Sequence, residues 1–391
     1  MPKAITIKKV DGKPGKVYYP LQTTEVPTPI PSDNQLLIRL TAASVNHRDL
    51  FIRQHLYPGT TFSVPLLADG CGLVISTGSS PTAKSWLHKR VILNPGSGWA
   101  DSAEGPEDPS GYRILGGTKL HPLGTLQDLV CIDASEVEEA PLHLDSVESA
   151  AIPLTGLTAY RALFTKSGNA KPGHNILITG IGGGVALMAL LFAAAAGCNA
   201  FVTSGSEEKL QRAKQLGAQG GVNYKAEGWE KKLVEQLPSD RKYIDAIIDG
   251  AGGNIVEKGA KILKVFELVF LLLIVLQHFL TSTFCQPGGV IVSYGMTTGP
   301  SLPYLMSAVL KNIEIRGSTM GSRAEFASMV SFVATKQLRP IISRTVRLEK
   351  GMDDLEKVDA LFEDMKAGSQ FGKLVIDILG EDVAGETTSK L

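Results

Sequence analysis

The stretch NILITGIGGGVALMALLFAAAAGCNAFVTS, residues 175–204, decides the fold. It begins with a continuous apolar strand, Asn175–Thr179, of the kind that lies inside a parallel sheet covered on both faces. A glycine turn, a helical segment at Val185–Ala196 and a second strand at Ala200–Thr203 follow. Strand, glycine turn, helix and strand in this order predict a βαβ unit.

The turn Gly180–Ala186 (GIGGGVA) indicates a site for the pyrophosphate of a dinucleotide. Glycine lets the backbone pass close to the pyrophosphate, where a Cβ would collide, and the helix N-terminus offers free N–H groups and a partial positive charge. A glycine-rich structural turn is the alternative, but the flanking strand and helix favour the phosphate site. The residues predicted to contact the cofactor here are Gly180, Gly182, Gly183, Gly184 and Val185.

The end of the second strand favours NADPH over NADH. NAD-specific enzymes place an acidic residue there, which binds the ribose 2′-hydroxyl. This chain has Ser204 instead, with Lys209 one turn further on. An acid would repel a 2′-phosphate, whereas hydroxyls and a lysine would receive it. The alternative for Lys209 is an ordinary solvated lysine on a helix.

Alternation of strands and helices continues beyond this unit and gives six strands in all. The further predicted strands are Gly221–Tyr224, Ile244–Asp249, Val290–Tyr294 and Asn312–Arg316, and the helices between them include Glu207–Leu216, Trp229–Leu237 and Asn254–Lys264. Six strands are the count of a doubly wound dinucleotide-binding domain, which we place at residues 157–320.

The first 156 residues predict a separate domain that is rich in short strands and turns. Its predicted strands include Gln35–Ala42, Cys71–Ser76, Lys89–Leu93 and Leu129–Ile132. From Ser146 to Leu163 apolar residues recur at helical spacing. The tail, residues 321–391, alternates helix and strand, and we expect it to return to the first domain.

Composition excludes several classes of function. Lysine plus arginine equals aspartate plus glutamate at 39 each, so no basic excess points to nucleic acid or to an anionic membrane surface. The four cysteines stand far apart, which predicts free thiols in a reducing compartment rather than disulfides or a metal cluster.

The last three residues, Ser389–Leu391 (SKL), predict import into peroxisomes, with a cytoplasmic location as the alternative.

Several motifs together resemble the medium-chain dehydrogenase/reductase superfamily, and within it the zinc-free branch similar to quinone oxidoreductases. The motifs that carry the resemblance, besides the phosphate turn, are ASVNHRD at residues 43–49, ADGCG at 68–72, AIPLTGLTA at 151–159, VNY at 222–224, DGAGG at 249–253, PGG at 287–289 and GSTMG at 317–321. The resemblance implies an α/β protein with a GroES-like β-rich barrel domain and a doubly wound Rossmann domain. It also implies a homodimer.

The same resemblance argues against a metal. Zinc-dependent relatives use a thiolate, an imidazole and further ligands to polarise the substrate oxygen. The position of the ligand cysteine corresponds to Asn46, and the Gly-His-Glu that supplies the histidine corresponds to Leu67-Ala68-Asp69. The cysteine-rich structural lobe corresponds to the cysteine-free loop at residues 94–117. We therefore predict neither catalytic nor structural zinc.

Hydride transfer without a metal needs a group that neutralises the negative charge developing on the substrate. The candidates implied by the resemblance are Asn46 and Tyr57 as donors, Asp49 as an orienting group, and Thr155 near the nicotinamide. Structural hydrogen bonding is the alternative for each of them. By resemblance, Lys209 and Tyr224 flank the 2′-phosphate, and Tyr294, Gly295 and Met296 lie over the nicotinamide, with Gly252 as a further cofactor contact.

The expected function is NADPH-dependent, zinc-independent reduction of quinones, enones or related carbonyl compounds. An enoyl reductase acting on acyl chains shares the fold and the cofactor and differs in the shape of its pocket. A non-catalytic relative of the crystallin type would bind NADPH without turnover.

One segment does not fit the family pattern. Residues 265–286, VFELVFLLLIVLQHFLTSTFCQ, are an apolar insertion between a helix and the Pro287-Gly288-Gly289 turn, where relatives join the two directly. A membrane span would have to interrupt a folded domain, because both flanks belong to one Rossmann sheet. A membrane anchor that enters the bilayer as a hairpin is the alternative, although we expect no membrane partner. Our preferred hypothesis is an unspliced intron, since valine codons begin with GT and a glutamine codon can be CAG.

Overall fold

The computed structural model describes residues 1–264, 267–269, 284–286, 288–299 and 301–379. The C-terminal Ser389–Leu391 signal lies outside the described residues, as does the apolar centre of the insertion. Within the described part of the chain, every helix is too short or too polar to cross a bilayer.

The chain groups into two compact units. One contains Met1–Leu157 and the chain from Gly321 onward, and the other contains Thr158–Met320. The domain limits predicted from the sequence, 156/157 and 320/321, stay a prediction.

The second unit consists mainly of strands that alternate with helices, whereas the first unit is richer in strands. In chain order the strands are β1 (Lys3–Ile7), β2 (Leu21–Glu25), β3 (Gln35–Val45), β4 (Asp69–Thr77), β5 (Arg90–Leu93), β6 (Gly96–Ser97), β7 (Arg113–Ile114), β8 (Leu129–Asp133), β9 (Val137–Glu139), β10 (Asn175–Ile178), β11 (Asn199–Ser204), β12 (Gly220–Asn223), β13 (Ala246–Asp249), β14 (Glu267–Val269), β15 (Phe284–Gln286), β16 (Val290–Ser293), β17 (Glu314–Gly317), β18 (Ile342–Arg347) and β19 (Lys373–Asp377).

The helices are α1 (His47–Arg53), α2 (Pro81–Lys84), α3 (Ser146–Ala150), α4 (Pro153–Tyr160), α5 (Gly184–Ala195), α6 (Glu207–Gln215), α7 (Trp229–Gln236), α8 (Ile255–Ile262), α9 (Met306–Val309), α10 (Arg323–Thr335) and α11 (Leu355–Ala367), with a π-helical stretch at Arg161–Lys166 and short 3-10 turns at Ala134–Glu136 and Gly351–Asp353. The continuous helical pattern from Ser146 is split between α3 and α4, because the residue before Pro153 is disfavoured in helical conformation.

The second unit is the predicted doubly wound domain. Its six strands run in the order β12-β11-β10-β13-β16-β17, and every neighbouring pair is parallel. All four residues of β10 are buried, as expected of a central strand covered on both faces. The strand order reverses direction between β10 and β13. The topological switch point of the sheet therefore lies at the carboxyl end of β10, where the glycine turn begins.

The first unit is built on a mainly antiparallel sheet in the order β18-β19-β3-β4-β5-β9, with β8 also paired to β3. The 11-residue β3 is its longest strand, and β3 pairs with β4, β8 and β19. Because the C-terminal β19 lies beside β3, the tail of the chain completes the sheet of the first 157 residues. The fold class predicted from the sequence is confirmed.

The two ends of the insertion come together. Strand β14 pairs with β15 in antiparallel register, with Leu268 opposite Cys285. Just outside them, the N–H of Gly289 donates to the carbonyl oxygen of Lys264 at 2.8 Å. The residues on either side of the insertion are therefore hydrogen-bonded to each other directly.

Candidate functional site

The glycine turn after β10 leaves open space for a ligand. Gly180 and Gly182 have φ of 64° and 123°, in the region that favours glycine. Gly183 is the N-cap of α5 and contributes no side chain to that cap. A Cβ placed on Gly180 or Gly183 would meet no protein atom within 4 Å. The turn thus fits a pyrophosphate, which could approach the backbone and the N–H groups at the start of α5, including those of Gly184 and Val185.

The neighbouring strand fixes this turn. The N–H of Gly180 donates to Thr203 Oγ1 at 3.2 Å, and the N–H of Ile181 donates to the carbonyl oxygen of Thr203 at 2.8 Å. Because Thr203 precedes Ser204 at the end of β11, the phosphate turn and the residue expected at the ribose are held in register.

The end of β11 carries hydroxyl and basic groups. Ser204 is buried, and its Oγ accepts from the N–H of Ser206 at 3.2 Å. Partial burial lowers the pKa of Lys209, which lies in the first turn of α6. Gly205 lies against the next loop, since a Cβ on it would come within 2.8 Å of the Tyr224 hydroxyl and 2.9 Å of Lys225 Cε. Lys225 is a basic residue at this corner that the sequence reasoning missed.

The turns after β13 and β16 pack against each other. The buried carboxylate of Asp249 accepts from Thr179 Oγ1 at 2.5 Å and from the N–H of Gly252 at 2.8 Å. Gly252 has a φ of 77°, and a Cβ on it would lie 3.2 Å from Met296 Cγ. A Cβ on the adjacent Gly250 would lie only 2.5 Å from the Tyr294 ring, and one on Gly295 would lie 3.3 Å from the carbonyl oxygen of Gly250. The predicted cofactor residues of the two turns are therefore in contact within this unit.

In the first unit, four polar side chains form a buried group that we call the Asn46 cluster: Ser44, Asn46, Asp69 and Lys373. Sheet pairing brings them together, because Ser44 pairs with Asp69 across β3 and β4, and Val45 pairs with Leu374 across β3 and β19. Asn46 directly follows β3 and is the N-cap of α1. All four side chains are buried.

The carboxylate of Asp69 is the centre of the cluster. Its Oδ2 accepts from Asn46 Nδ2 at 2.8 Å, from Lys373 Nζ at 2.9 Å and from Ser44 Oγ at 3.0 Å. Its Oδ1 accepts from the N–H of Leu154, in the first turn of α4, at 2.7 Å. These donors satisfy the hydrogen-bonding capacity of a carboxylate that is buried away from water.

Lys373 uses all three of its N–H groups. Besides Asp69, its Nζ donates to Asn46 Oδ1 at 2.7 Å and to the carbonyl oxygen of Val45 at 3.0 Å. The sequence reasoning singled out Asn46 and placed Asp69 in the motif that replaces the zinc ligand, but it missed Lys373. The only signal for it was a lysine among the apolar residues of a terminal strand.

Asp49 accepts hydrogen bonds at the start of α1. Its Oδ2 accepts from the N–H of Asn46 at 2.8 Å, and its Oδ1 accepts from Arg48 at 3.1 Å. Burial raises the pKa of Asp49 to about 6, and the adjacent Arg48 guanidinium opposes this rise. Asp49 is thus an acceptor that fixes its neighbours.

Arg48 contacts the candidate donor Tyr57 and the loop that contains Leu115 and Gly116. Its guanidinium lies over the ring of Tyr57, 4.8 Å from the ring centre, and donates to the carbonyl oxygens of Leu115 and Gly116 at 2.8 and 2.9 Å. Tyr57 lines an open depression of about 510 Å³.

Tyr112, from the same loop as Leu115, has a buried hydroxyl with no hydrogen-bond partner among the described residues. The sequence reasoning missed Tyr112, because its loop lacks periodicity.

Thr155 makes a local contact. It is buried in α4, and its Oγ1 donates to the carbonyl oxygen of Ala151 at 3.1 Å. This bond is of the kind that serine and threonine make inside helices. Structural hydrogen bonding, the alternative to a catalytic role for Thr155, therefore has an observed acceptor in Ala151.

Two family models match the chain. The alcohol dehydrogenase GroES-like domain matches residues 32–142, and the zinc-binding dehydrogenase domain matches residues 184–272. The zinc-type alcohol dehydrogenase-like protein YogA of Leptosphaeria maculans is 51% identical over 383 residues, which cover 97% of this chain and 100% of that protein.

Solved structures show the same fold. An NAD-dependent alcohol dehydrogenase is 27% identical with a TM-score of 0.74, and the match covers 97% of this chain and 100% of that one. The crotonyl-CoA carboxylase/reductase AntE, solved in complex with NADP, is 17% identical with a TM-score of 0.76, and the match covers 97% and 95% of the two chains. The chain belongs to the zinc-type alcohol dehydrogenase-like family of the medium-chain dehydrogenase/reductase superfamily, a family of oxidoreductases.

Proposed function

We propose that this protein is an NADPH-dependent reductase of the quinone oxidoreductase-like branch, which reduces quinones, enones or related carbonyl compounds without zinc. The observation that carries the proposal is the Asn46 cluster, in which an ammonium group lies between the side chains of Asn46 and Asp69.

The residues of this cluster do not fit a zinc ion. Zinc sites in proteins are built from thiolates, imidazoles and carboxylates, whereas the corresponding positions carry an amide, Asn46, and a methyl group, Ala68. The one carboxylate, Asp69, is already paired with Lys373 at 2.9 Å. A dication beside that ammonium would be repelled at short range. No group of three or more histidine, cysteine or acidic side chains occurs among the described residues in a metal-binding arrangement.

The preference for NADPH is supported by the corner at the end of β11. Ser204 stands where an acid would bind the ribose of NADH, and Lys209 and Lys225 lie on the two segments that flank it. Lys209 is partly buried, and burial lowers the pKa of its side chain, so the 2′-phosphate would stabilise its charged form. Tyr224 offers a hydroxyl beside Gly205.

In this proposal NADPH supplies a hydride, and the chain supplies binding and charge neutralisation. The turn at Gly180–Val185 holds the pyrophosphate with backbone N–H groups. Asn46 and Tyr57 are the candidate donors to the oxygen on which negative charge develops. Quinones and enones spread that charge over a conjugated system, so neutral donors suffice and no Lewis acid is needed. Asp49 and Thr155 make hydrogen bonds at the N-terminal ends of helices α1 and α4, respectively.

A screen of NADPH oxidation tests the function. Purified protein is mixed with NADPH and separately with quinones, enones, aldehydes and enoyl thioesters, and absorbance of the reduced nicotinamide is followed. We expect turnover with quinones or enones. Turnover with enoyl thioesters alone would instead identify an enoyl reductase. Measurable NADPH binding without turnover of any acceptor would identify a non-catalytic binding protein and overturn the reductase proposal.

Charge reversal tests the cofactor preference. We expect Lys209→Glu to weaken NADPH binding by about tenfold to a hundredfold, because it removes a charge-assisted contact to the 2′-phosphate. Lys214→Glu, on the exposed side of the same helix, is the matched control and should leave binding unchanged. Equal affinity for NADPH and NADH in the unmodified protein would contradict the preference.

Two expectations concern the protein in the cell. We propose import into peroxisomes through Ser389–Leu391, with a cytoplasmic location as the alternative. A fluorescent protein fused at the N-terminus should colocalise with peroxisomes and lose that pattern when the three residues are removed. We also expect a homodimer, which sedimentation equilibrium would measure.

A further inference from the structure

The Asn46 cluster contains a buried ion pair whose retention calls for a reason. Lys373 is 4% exposed and Asp69 is completely buried. Removing both charges from water costs free energy, and such pairs are often no more stabilising than apolar side chains of the same volume. Stability is therefore a weak explanation for keeping this pair.

The pair fixes the orientation of the Asn46 amide. Asn46 Oδ1 accepts from the ammonium of Lys373 at 2.7 Å, and Asn46 Nδ2 donates to the carboxylate of Asp69 at 2.8 Å. Exchange of the two ends of the amide would place N–H groups against the ammonium and an oxygen against the carboxylate. Only one orientation satisfies both partners.

Of the N–H donors of Lys373 and Asn46, one is left for a further acceptor. The three N–H groups of Lys373 are all used, by Val45, Asn46 and Asp69. An amide nitrogen carries two N–H groups, and Asn46 uses one of them for Asp69. The second N–H of Asn46 has no recorded partner among the described residues.

Resting on the reductase function proposed above, we infer that Lys373 and Asp69 are positioning residues that hold the Asn46 amide with its second N–H available to the substrate oxygen. Neither residue donates to the substrate itself. A donor aimed in advance at the developing charge stabilises the transition state, because no reorganisation is needed during the reaction. The fixed amide thereby supplies the polarisation for which zinc-dependent relatives use their metal.

A double-mutant cycle tests this inference. The variants are Asn46→Leu, Lys373→Met and the combination of the two, and the readouts are kcat, KM and NADPH affinity. We expect each single variant to lower kcat by about a hundredfold, with NADPH affinity unchanged. The combined variant should be no slower than Asn46→Leu alone, because Lys373 acts only through Asn46.

A matched control separates positioning from loss of stability. Thr41 is buried in the same strand, β3, and its Oγ1 donates to the carbonyl oxygen of Cys71 at 3.1 Å. Thr41→Val removes one buried hydrogen bond outside the cluster and should leave kcat unchanged. If Lys373→Met does not fold because Asp69 is left without a cation, Asp69→Asn/Lys373→Met replaces it in the cycle.

The outcomes distinguish the inference from the proposed function. Effects on kcat that multiply to about ten-thousandfold in the combined variant would show that Lys373 acts independently of Asn46 and would overturn the inference. Unchanged kcat in Lys373→Met would overturn it as well. If the unmodified protein reduces no acceptor, the reductase function itself fails, and the inference falls with it.

Discussion

Asp49 gives the protein a pH-dependent stability. Burial raises the pKa of its carboxyl from 3.8 to about 6. A carboxyl whose pKa is higher in the folded chain binds its proton more tightly there, so this contribution to stability is present at low pH and is lost as pH rises through about 6. We expect the free energy of unfolding of Asp49→Asn, minus that of the unmodified protein, to rise by about 2 kcal/mol between about pH 4 and pH 7.

Urea unfolding at a series of pH values measures this difference. The asparagine introduced by Asp49→Asn keeps a side-chain oxygen that can accept from the N–H at the start of α1, so the fold should persist. A difference that stays constant over the whole pH range would show that Asp49 titrates normally.

Tyr112 makes a second prediction at the scale of one residue. Its hydroxyl is buried without a partner among the described residues, and burial holds its pKa well above the usual range, so it stays a neutral donor. We expect Tyr112→Phe to leave the free energy of unfolding unchanged or to raise it by about 1 kcal/mol, because no hydrogen bond is lost. If a substrate uses the hydroxyl, kcat/KM falls by about tenfold or more in the same variant.

Tyr18→Phe is the matched control for Tyr112. The Tyr18 hydroxyl is likewise buried without a partner among the described residues, and its ring lies against Arg53. Thermal unfolding and steady-state kinetics of both variants separate the two effects. A marked loss of stability in Tyr112→Phe would reveal a hydrogen bond that the structure does not record.

At the scale of the element, the start of α5 separates stability from cofactor binding. Gly183 has a φ of −77°, which any residue adopts, and a Cβ on it would meet no protein atom within 4 Å. Gly183→Ala should therefore change the free energy of unfolding by less than about 1 kcal/mol. The new methyl group would occupy the space that we propose for the pyrophosphate, so we expect NADPH binding to weaken by about tenfold or more.

Fluorescence titration with NADPH measures the effect of this change. Gly105→Ala is the control, because a Cβ there also meets no atom within 4 Å and the residue belongs to a loop of the first unit. Unchanged NADPH affinity in Gly183→Ala would place the pyrophosphate elsewhere.

The insertion provides a prediction about an element that can be removed. Without residues 265–286, Lys264, Pro287, Gly288 and Gly289 become consecutive. The existing hydrogen bond from Gly289 N–H to the Lys264 carbonyl, at 2.8 Å, is the one that closes a four-residue β-turn. Proline and glycine at the two central positions suit a type II turn.

We therefore expect the protein lacking residues 265–286 to fold, to bind NADPH and to aggregate less, because an apolar segment is removed. Light scattering, thermal unfolding and NADPH titration check this, with a variant that replaces the segment by a glycine–serine linker of the same length as control. An insoluble deletion variant alongside a soluble linker variant would show that the turn cannot close. A transcript that retains the segment would overturn the intron hypothesis itself.

These elements show where sequence reasoning succeeds and where it stops. Apolar runs and the alternation of strands with helices predicted the six strands, and the structure confirms that they form one parallel sheet. Lys373 lies 327 positions from Asn46, and only the pairing of β19 with β3 brings them together. Tyr112 and Lys225 lie in loops without periodicity. Long-range sheet pairing and the contacts of irregular loops leave little local signal in a single sequence.

At the scale of the whole molecule, we expect a protein without bound zinc. We expect that dialysis against a chelator leaves both the melting temperature and kcat unchanged, because Asn46, Ala68 and Lys373 do not provide a zinc site. Elemental analysis of the purified protein should find far less than one zinc per chain. Stoichiometric zinc whose removal abolishes turnover would contradict the zinc-independent proposal.

The buried ammonium of Lys373 also constrains how the chemistry of this fold can be redesigned. Placing a cysteine or histidine at the positions of Asn46 and Ala68 would create ligands beside a fixed positive charge, and that charge opposes a second cation. Removing the lysine first would instead leave Asp69 as an uncompensated buried anion. Conversion to a metalloenzyme therefore requires lysine and ligands to be exchanged together, because single substitutions pass either through variants whose ammonium opposes the metal or through variants that carry neither cation.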